Sequence, residues 1–197
     1  MADIRNWCIC PYIHMLAFIG RKNPIEEGIN MKQKFDKRIF TAGILIKDLG
    51  FLSYKLPQII GALRNKRISK VFIEKIMIVV SAVNGCTYCT WFHAQRAVSC
   101  GISEEEIKNM LNLQFQADAS HFEILGLLYA QHYVEMNRNP DNEMTVKLFE
   151  YYGDKTARHI ILFIRMIFFG NLLGNTFDAF LSKLKGSLLV KYDNRKR

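Results

Sequence analysis

Between Glu74 and His93 the chain reads EKIMIVVSAVNGCTYCTWFH, a Glu-x11-Cys-x2-Cys-x3-His pattern. Each residue type in it can do one part of thiol chemistry. The nucleophile is the thiolate, and a free thiol of pKa about 8.5 is only a few per cent ionised at neutral pH. A reactive cysteine therefore needs a base, a cation or a helix N-terminus beside it. Cys86 and Cys89 fall at the expected start of a helix, where the positive end of the helix dipole favours a thiolate. Their i,i+3 spacing puts both sulfurs on one face, close enough to join as a disulfide with little backbone motion. Cys89 and His93 are i,i+4, so His93 is placed to take the Cys89 proton.

Glu74 joins them by arithmetic. If the helix that carries it ends near residue 83 and the next returns antiparallel from residue 87, residue 74 is level with about residue 96. His93 is then roughly 4.5 Å from that level at 1.5 Å per residue. A glutamate among Phe72, Met77 and Ile78 has a raised pKa unless it is paired. A histidine within reach accounts for both residues, as a Glu74–His93–Cys89 proton relay.

Other readings of the same residues stand beside this one. Two cysteines at i,i+3 can be small core residues, and a lone histidine is more often a satisfied core group than a base. Cys86, Cys89 and His93 are also three soft zinc ligands, with Cys100 or His121 as a fourth. Neither of those stands at a recognised zinc-finger spacing, and the expectation is no metal and no cofactor.

The elements that must position these groups read as helices throughout. Helices are expected over about 33–49, with a break near Gly50, and over about 51–65, with Pro57 bending it or marking its start. Residues 64–70 form a basic linker. The helix over about 68–83 is apolar nearly all round and must be buried. Asn84-Gly85 is a turn signal, and a helix over about 87–99 stops at Gly101. Ser103 with Glu106, and Ser120 with Glu123, have capping-box spacing for helices to about 112 and from 121 to about 136. Asn139-Pro140-Asp141 separates the latter from a helix over about 142–152. Gly153-Asp154 opens the last, about 155–183. Its segment IILFIRMIFFGNLL is long and apolar, but Arg165, His159, Asn171 and Asn175 suit it to a core or subunit interface rather than a membrane span. Asn171 and Asn175, i,i+4, form a polar strip that needs partners.

The 197 residues suit one all-α domain over 35–197, preceded by an N-terminal accessory segment, 1–34, expected to be less ordered. Residues 7–19 are apolar but interrupted by Pro11 and His14, and too short to span a membrane. The net charge of +9 lies entirely in residues 1–100, with 15 Lys/Arg against 6 Asp/Glu; residues 101–197 hold 12 of each. No nucleic-acid motif accompanies that charge, which reads as solvated lysines. Five cysteines without a repeated spacing exclude a secreted disulfide scaffold and favour a reducing, cytoplasmic setting.

Read with the following SAVNGCTYCTWFHAQRAVSCGISEEEI, the motif resembles the alkylhydroperoxidase D-like branch of the carboxymuconolactone decarboxylase superfamily, with looser similarity to about Phe180. The resemblance implies an all-α helical array assembled as a homo-oligomer, a trimer or hexamer. It implies an antioxidant peroxidase in which Cys89 attacks the peroxide, Cys86 resolves the sulfenic acid, and Glu74 and His93 relay protons. A hydroperoxide or disulfide is then the substrate, and a dithiol or lipoyl-bearing protein the reductant. Superfamily members that are true decarboxylases lack the CxxC. One position departs from the branch: Tyr88 stands where its bacterial peroxidases carry a second histidine, and a phenol near pKa 10 is a poor base at neutral pH. Two further functions remain open, a redox-sensing or partner-binding helical oligomer and a decarboxylase-like enzyme using Glu74 and His93.

Overall fold

A computed structural model describes residues 38–64, 67–115 and 119–193, with the side chains of 184–193 excepted; residues 1–34, expected as an accessory segment, lie outside the described residues. All described residues belong to one compact unit, Lys32–Arg197. Among them are seven helices and no strand: α1 Ala42–Leu63, α2 Lys70–Asn84, α3 Thr87–Ser99, α4 Glu104–Leu111, α5 His121–Glu135, α6 Asn142–Tyr152 and α7 Asp154–Asp193.

The centre is α2. The hydroxyl of Ser69 caps it by accepting the Phe72 N–H at 2.9 Å, and every residue from Phe72 to Asn84 is buried. A helix apolar on all faces has no solvent side, so other helices must enclose it. Here α3, α4, α5 and α7 do so, while α1 lies on α7, and α6 lies on α5 and α7. Each fully buried Ile or Val of α2 contributes about 1.5–3 kcal/mol by leaving water. α5 comes close enough that a β-carbon on Gly126 would meet Phe72 Cζ at 2.6 Å.

The polar groups inside this core are matched individually. Lys75 donates to Glu106 of α4 at 2.6 Å and to Glu123 of α5 at 2.8 Å, which ties three helices together. Burial disfavours its charge, but the two carboxylates outweigh that and hold its pKa above the ordinary lysine value. Glu106 is thereby drawn away from the capping role its spacing predicts: Ser103 still accepts the Glu106 N–H, while the carboxylate faces Lys75. Glu123 does both, accepting the Ser120 N–H at 3.3 Å as well as Lys75.

Three expected boundaries differ. The first helix, expected from about residue 33, begins at Ala42, and residues 38–41 before it are not helical. The break near Gly50 is absent, and α1 runs unbroken through Gly50 and Pro57. The carbonyl that Pro57 leaves unpaired belongs to exposed Ser53, where water can satisfy it. α7 continues past residue 183 to Asp193. Its span Asp154–Lys183 is long and apolar enough to cross a membrane, yet half of its most apolar window is buried against the other helices. Arg165, one of the charges within that span, lies over the Phe51 ring of α1 at 3.3 Å. Arg138 adds a bridge to Asp48 of α1 at 2.7 Å.

Candidate active site

The hairpin of α2 and α3 builds the site. Gly85 closes α2 at φ 62°, a left-handed conformation that favours glycine, and this sharp exit leaves Cys86 as the N-cap of α3. In that position the Cys86 sulfur accepts the N–H of Cys89 at 3.4 Å. Both cysteines are buried and reduced, Cys86 at 1% and Cys89 at 7% exposure.

The sequence placed both cysteines at the helix start; the structure makes Cys86 its N-cap and puts Cys89 in the first turn. The Cys89 thiol is pushed well above its ordinary pKa, first by its hydrogen bond to Cys86, then by burial and by the charges of Cys86 and Asp178.

Glu74 is 4% exposed and fully engaged. Its Oε2 is 2.8 Å from Nδ1 of His93, and its Oε1 takes the Nε–H of Arg96 at 2.8 Å. Burial works against the carboxylate charge, but the hydrogen bonds and charges of His93 and Arg96 prevail and hold its pKa below the usual range. An ionised Glu74 fixes the imidazole with its proton on Nδ1, so Nε2 is the nitrogen left to exchange protons. Arg96 was not singled out from sequence, although the hairpin arithmetic puts residue 96 level with Glu74. An arginine there was the available signal.

The structure thus assembles the four expected residues as two pairs, Glu74 with His93 and Cys86 with Cys89. Among the described residues no hydrogen bond runs from His93 to Cys89. Tyr88 is half-buried, and its ring packs with those of Phe92 and Trp91 at 6.2 Å each.

The far wall is α7. A β-carbon on Gly174 would stand 2.9 Å from Cys86 Sγ and 3.7 Å from Cys89 Sγ, so the helix backbone approaches both sulfurs there. Asn171 and Asn175 flank this contact and are buried, as a polar strip requires. Asn171 Oδ1 accepts the Ser81 hydroxyl at 3.1 Å, and Asn175 Nδ2 donates to the Asn84 carbonyl at 2.9 Å. The Asn84 side chain, one Asn171 nitrogen and the Asn175 oxygen have no partner among the described residues.

The zinc alternative gains no geometry: among the described residues no three His, Cys, Asp or Glu side chains converge as a ligand set. His121 is elsewhere, 3.1 Å from the Tyr151 hydroxyl. A cavity with room for about one water lies between α1 and α7, lined by Asp48, Phe51, Leu52, Arg138, Arg165 and Phe169, none of them a site residue.

No curated protein matches the chain. Residues 58–119, which include α2, α3 and α4 and so the whole Glu74–His93 motif, match the model of the carboxymuconolactone decarboxylase family. Over that segment, about a third of its length, the chain is similar to the carboxymuconolactone decarboxylase family.

Proposed function

We propose that the chain is a CxxC thiol oxidoreductase of the alkylhydroperoxidase D-like kind, reducing hydroperoxides or disulfides at the expense of a dithiol donor. The observation that carries the reading is the buried, mutually hydrogen-bonded Cys86–Cys89 pair at the start of α3. In the peroxide reaction one thiolate attacks the peroxide, forming an S–O bond and breaking O–O. The alcohol or water leaves with a proton. The second thiol then attacks the sulfenic sulfur, forming the disulfide and releasing water. A dithiol donor, such as a lipoyl-bearing protein, reduces the disulfide by exchange and is itself oxidised. His93, oriented by Glu74, supplies or removes protons at the reacting oxygens through Nε2.

Assembly with further copies of the chain, as a trimer or hexamer, belongs to the same proposal. Its support is the apolar surface of α1 and α7: Ile46 and Tyr54 are 70% and 78% exposed, and Leu173, Phe177 and Phe180 line one face of α7. Light scattering that gives a monomer at micromolar concentration refutes it.

A second reading has its own support. Glu74, His93 and Arg96 form an acid–base group joined by its own hydrogen bonds, as a decarboxylase-like enzyme requires. Dithiol-dependent reduction of hydroperoxide and of a small disulfide, measured on the unmutated chain, Cys86→Ser and Cys89→Ser, separates the two. Turnover abolished by either serine supports the thiol reading. Absence of any dithiol-dependent turnover overturns it in favour of the second.

A further inference from the structure

The cavity between α1 and α7 is lined by two guanidiniums, Arg138 and Arg165, and by one carboxylate, Asp48. Both guanidiniums are held in place by aromatic rings. Arg165 sits over Phe51 at 3.3 Å, and Arg138 over Phe168 at 5.2 Å. Asn137 and Arg138 also take left-handed backbone, at φ 51° and 71°, which is uncommon away from glycine. The turn after α5 accepts that geometry and brings Arg138 to Asp48 of α1.

Neither guanidinium has used its hydrogen-bonding capacity, which is five N–H donors each. Arg138 gives Nη1 to both Asp48 oxygens, at 2.8 and 2.7 Å, and its Nε and Nη2 have no partner among the described residues. Arg165 has the Phe51 ring but, among the described residues, no hydrogen bond and no ion pair.

The charges do not balance either. Two cations against one anion leave a positive charge in excess in the cavity wall. Arg38, which donates to the Val134 carbonyl near the end of α5, stands close by: burial and then the Arg138 charge hold its pKa below the usual value. Burial raises the Tyr133 pKa, and the charges of Arg165 and Arg138 act against it, so both reach the same part-buried region. Charges in such a place are screened less than on an open surface.

We propose that this cavity is an oxyanion site, in which one oxygen of a carboxylate or phosphate group takes the unused N–H donors of Arg138 and Arg165. The guanidinium fork suits both groups. The cavity has room for about one water, so it admits a single oxygen and leaves the rest of the ligand outside. Phe51, Leu52 and Phe169 complete the wall, and apolar surroundings strengthen the attraction. None of these residues belongs to the cysteine site, and the proposal rests on no reading of its chemistry.

The test is thermal unfolding of the full-length chain at fixed pH and ionic strength, with sodium chloride replaced stepwise by sodium phosphate or by sodium acetate. The expected result is a melting temperature that rises and saturates, by about 3–6 °C at ten times the half-saturating concentration. Saturation with phosphate alone assigns a phosphate group, and saturation with acetate a carboxylate. Arg165→Gln should abolish the rise, and Arg165→Lys should keep part of it. Asp48→Asn removes the competing anion and releases Arg138 Nη1, so half-saturation should fall about two- to fivefold. No saturable rise with either salt overturns the proposal, as does a rise that Arg165→Gln leaves unchanged or a half-saturation that Asp48→Asn does not lower. The measurement needs no turnover, so its outcome is independent of the dithiol assay.

Discussion

One carboxylate oxygen of Glu74 lies 2.8 Å from His93 Nδ1, and the other takes the Arg96 Nε–H at the same distance. Both carboxylate oxygens are thus committed within α2 and α3, and the imidazole is held by one nitrogen with the other left for chemistry. The sulfurs form a second unit, closed off by Gly174.

That separation gives His93→Ala a split outcome. Positioned acid–base groups contribute about 10²–10⁴-fold, so turnover of peroxide with a dithiol should fall within that range. The pH profile of Cys89 alkylation should stay where it was, because His93 makes no bond to that thiol. A Cys89 profile displaced by His93→Ala would restore a direct histidine–cysteine relay.

Glu74 should govern the acid limb of stability. Its folded pKa is held below the ordinary carboxylate value, so its contribution is present above that value and is lost as pH falls through the lowered one. Glu74→Gln keeps the shape but not the charge. Urea unfolding should show a loss of about 1–3 kcal/mol at neutral pH and a flatter decline toward acid. An acid limb as steep as that of the unmutated chain would place the titrating group elsewhere.

Lys75 has the opposite sign. Its folded pKa is raised, so its stabilisation is present below the ordinary lysine value and disappears as pH rises through the raised one. Lys75→Met leaves Glu106 and Glu123 facing each other without their cation. The expected loss is about 3 kcal/mol or more at neutral pH, read by thermal or urea unfolding. A loss well under about 1 kcal/mol would mean that the two carboxylates reach water in the folded state.

Two glycines of α7 form a matched comparison. A β-carbon on Gly170 meets nothing within 4 Å, whereas on Gly174 it would press on Cys86 Sγ at 2.9 Å. Gly170→Ala should gain up to about 1 kcal/mol from helix propensity. Gly174→Ala should lose about 1–3 kcal/mol by overpacking and slow formation of the Cys86–Cys89 disulfide, followed by mass spectrometry after mild oxidation. Equal effects at the two positions would show that α7 stands further from the sulfurs than these distances say.

Much of the site follows from sequence because its signals are local. The i,i+3 and i,i+4 spacings of Cys86, Cys89 and His93 act within one helix, and Asn84-Gly85 sets the turn that brings α3 back along α2. The antiparallel return then puts Glu74 beside His93 by rise per residue alone. The all-round apolar sequence of α2 determined that other helices enclose it, and the cap residues Ser103 and Ser120 each open a helix as expected. Tertiary packing decided the rest. Glu106 left its cap for Lys75 because a buried ammonium needs a charge partner more than an exposed helix end needs a second cap. Gly50 and Pro57 did not interrupt α1, because the carbonyl freed there faces water. Above all, the approach of Gly174 to the cysteines depends on how α7, nearly ninety residues later, lies across α2 and α3. No local spacing encodes that contact, and it is this long-range contact that closes the site over the sulfurs.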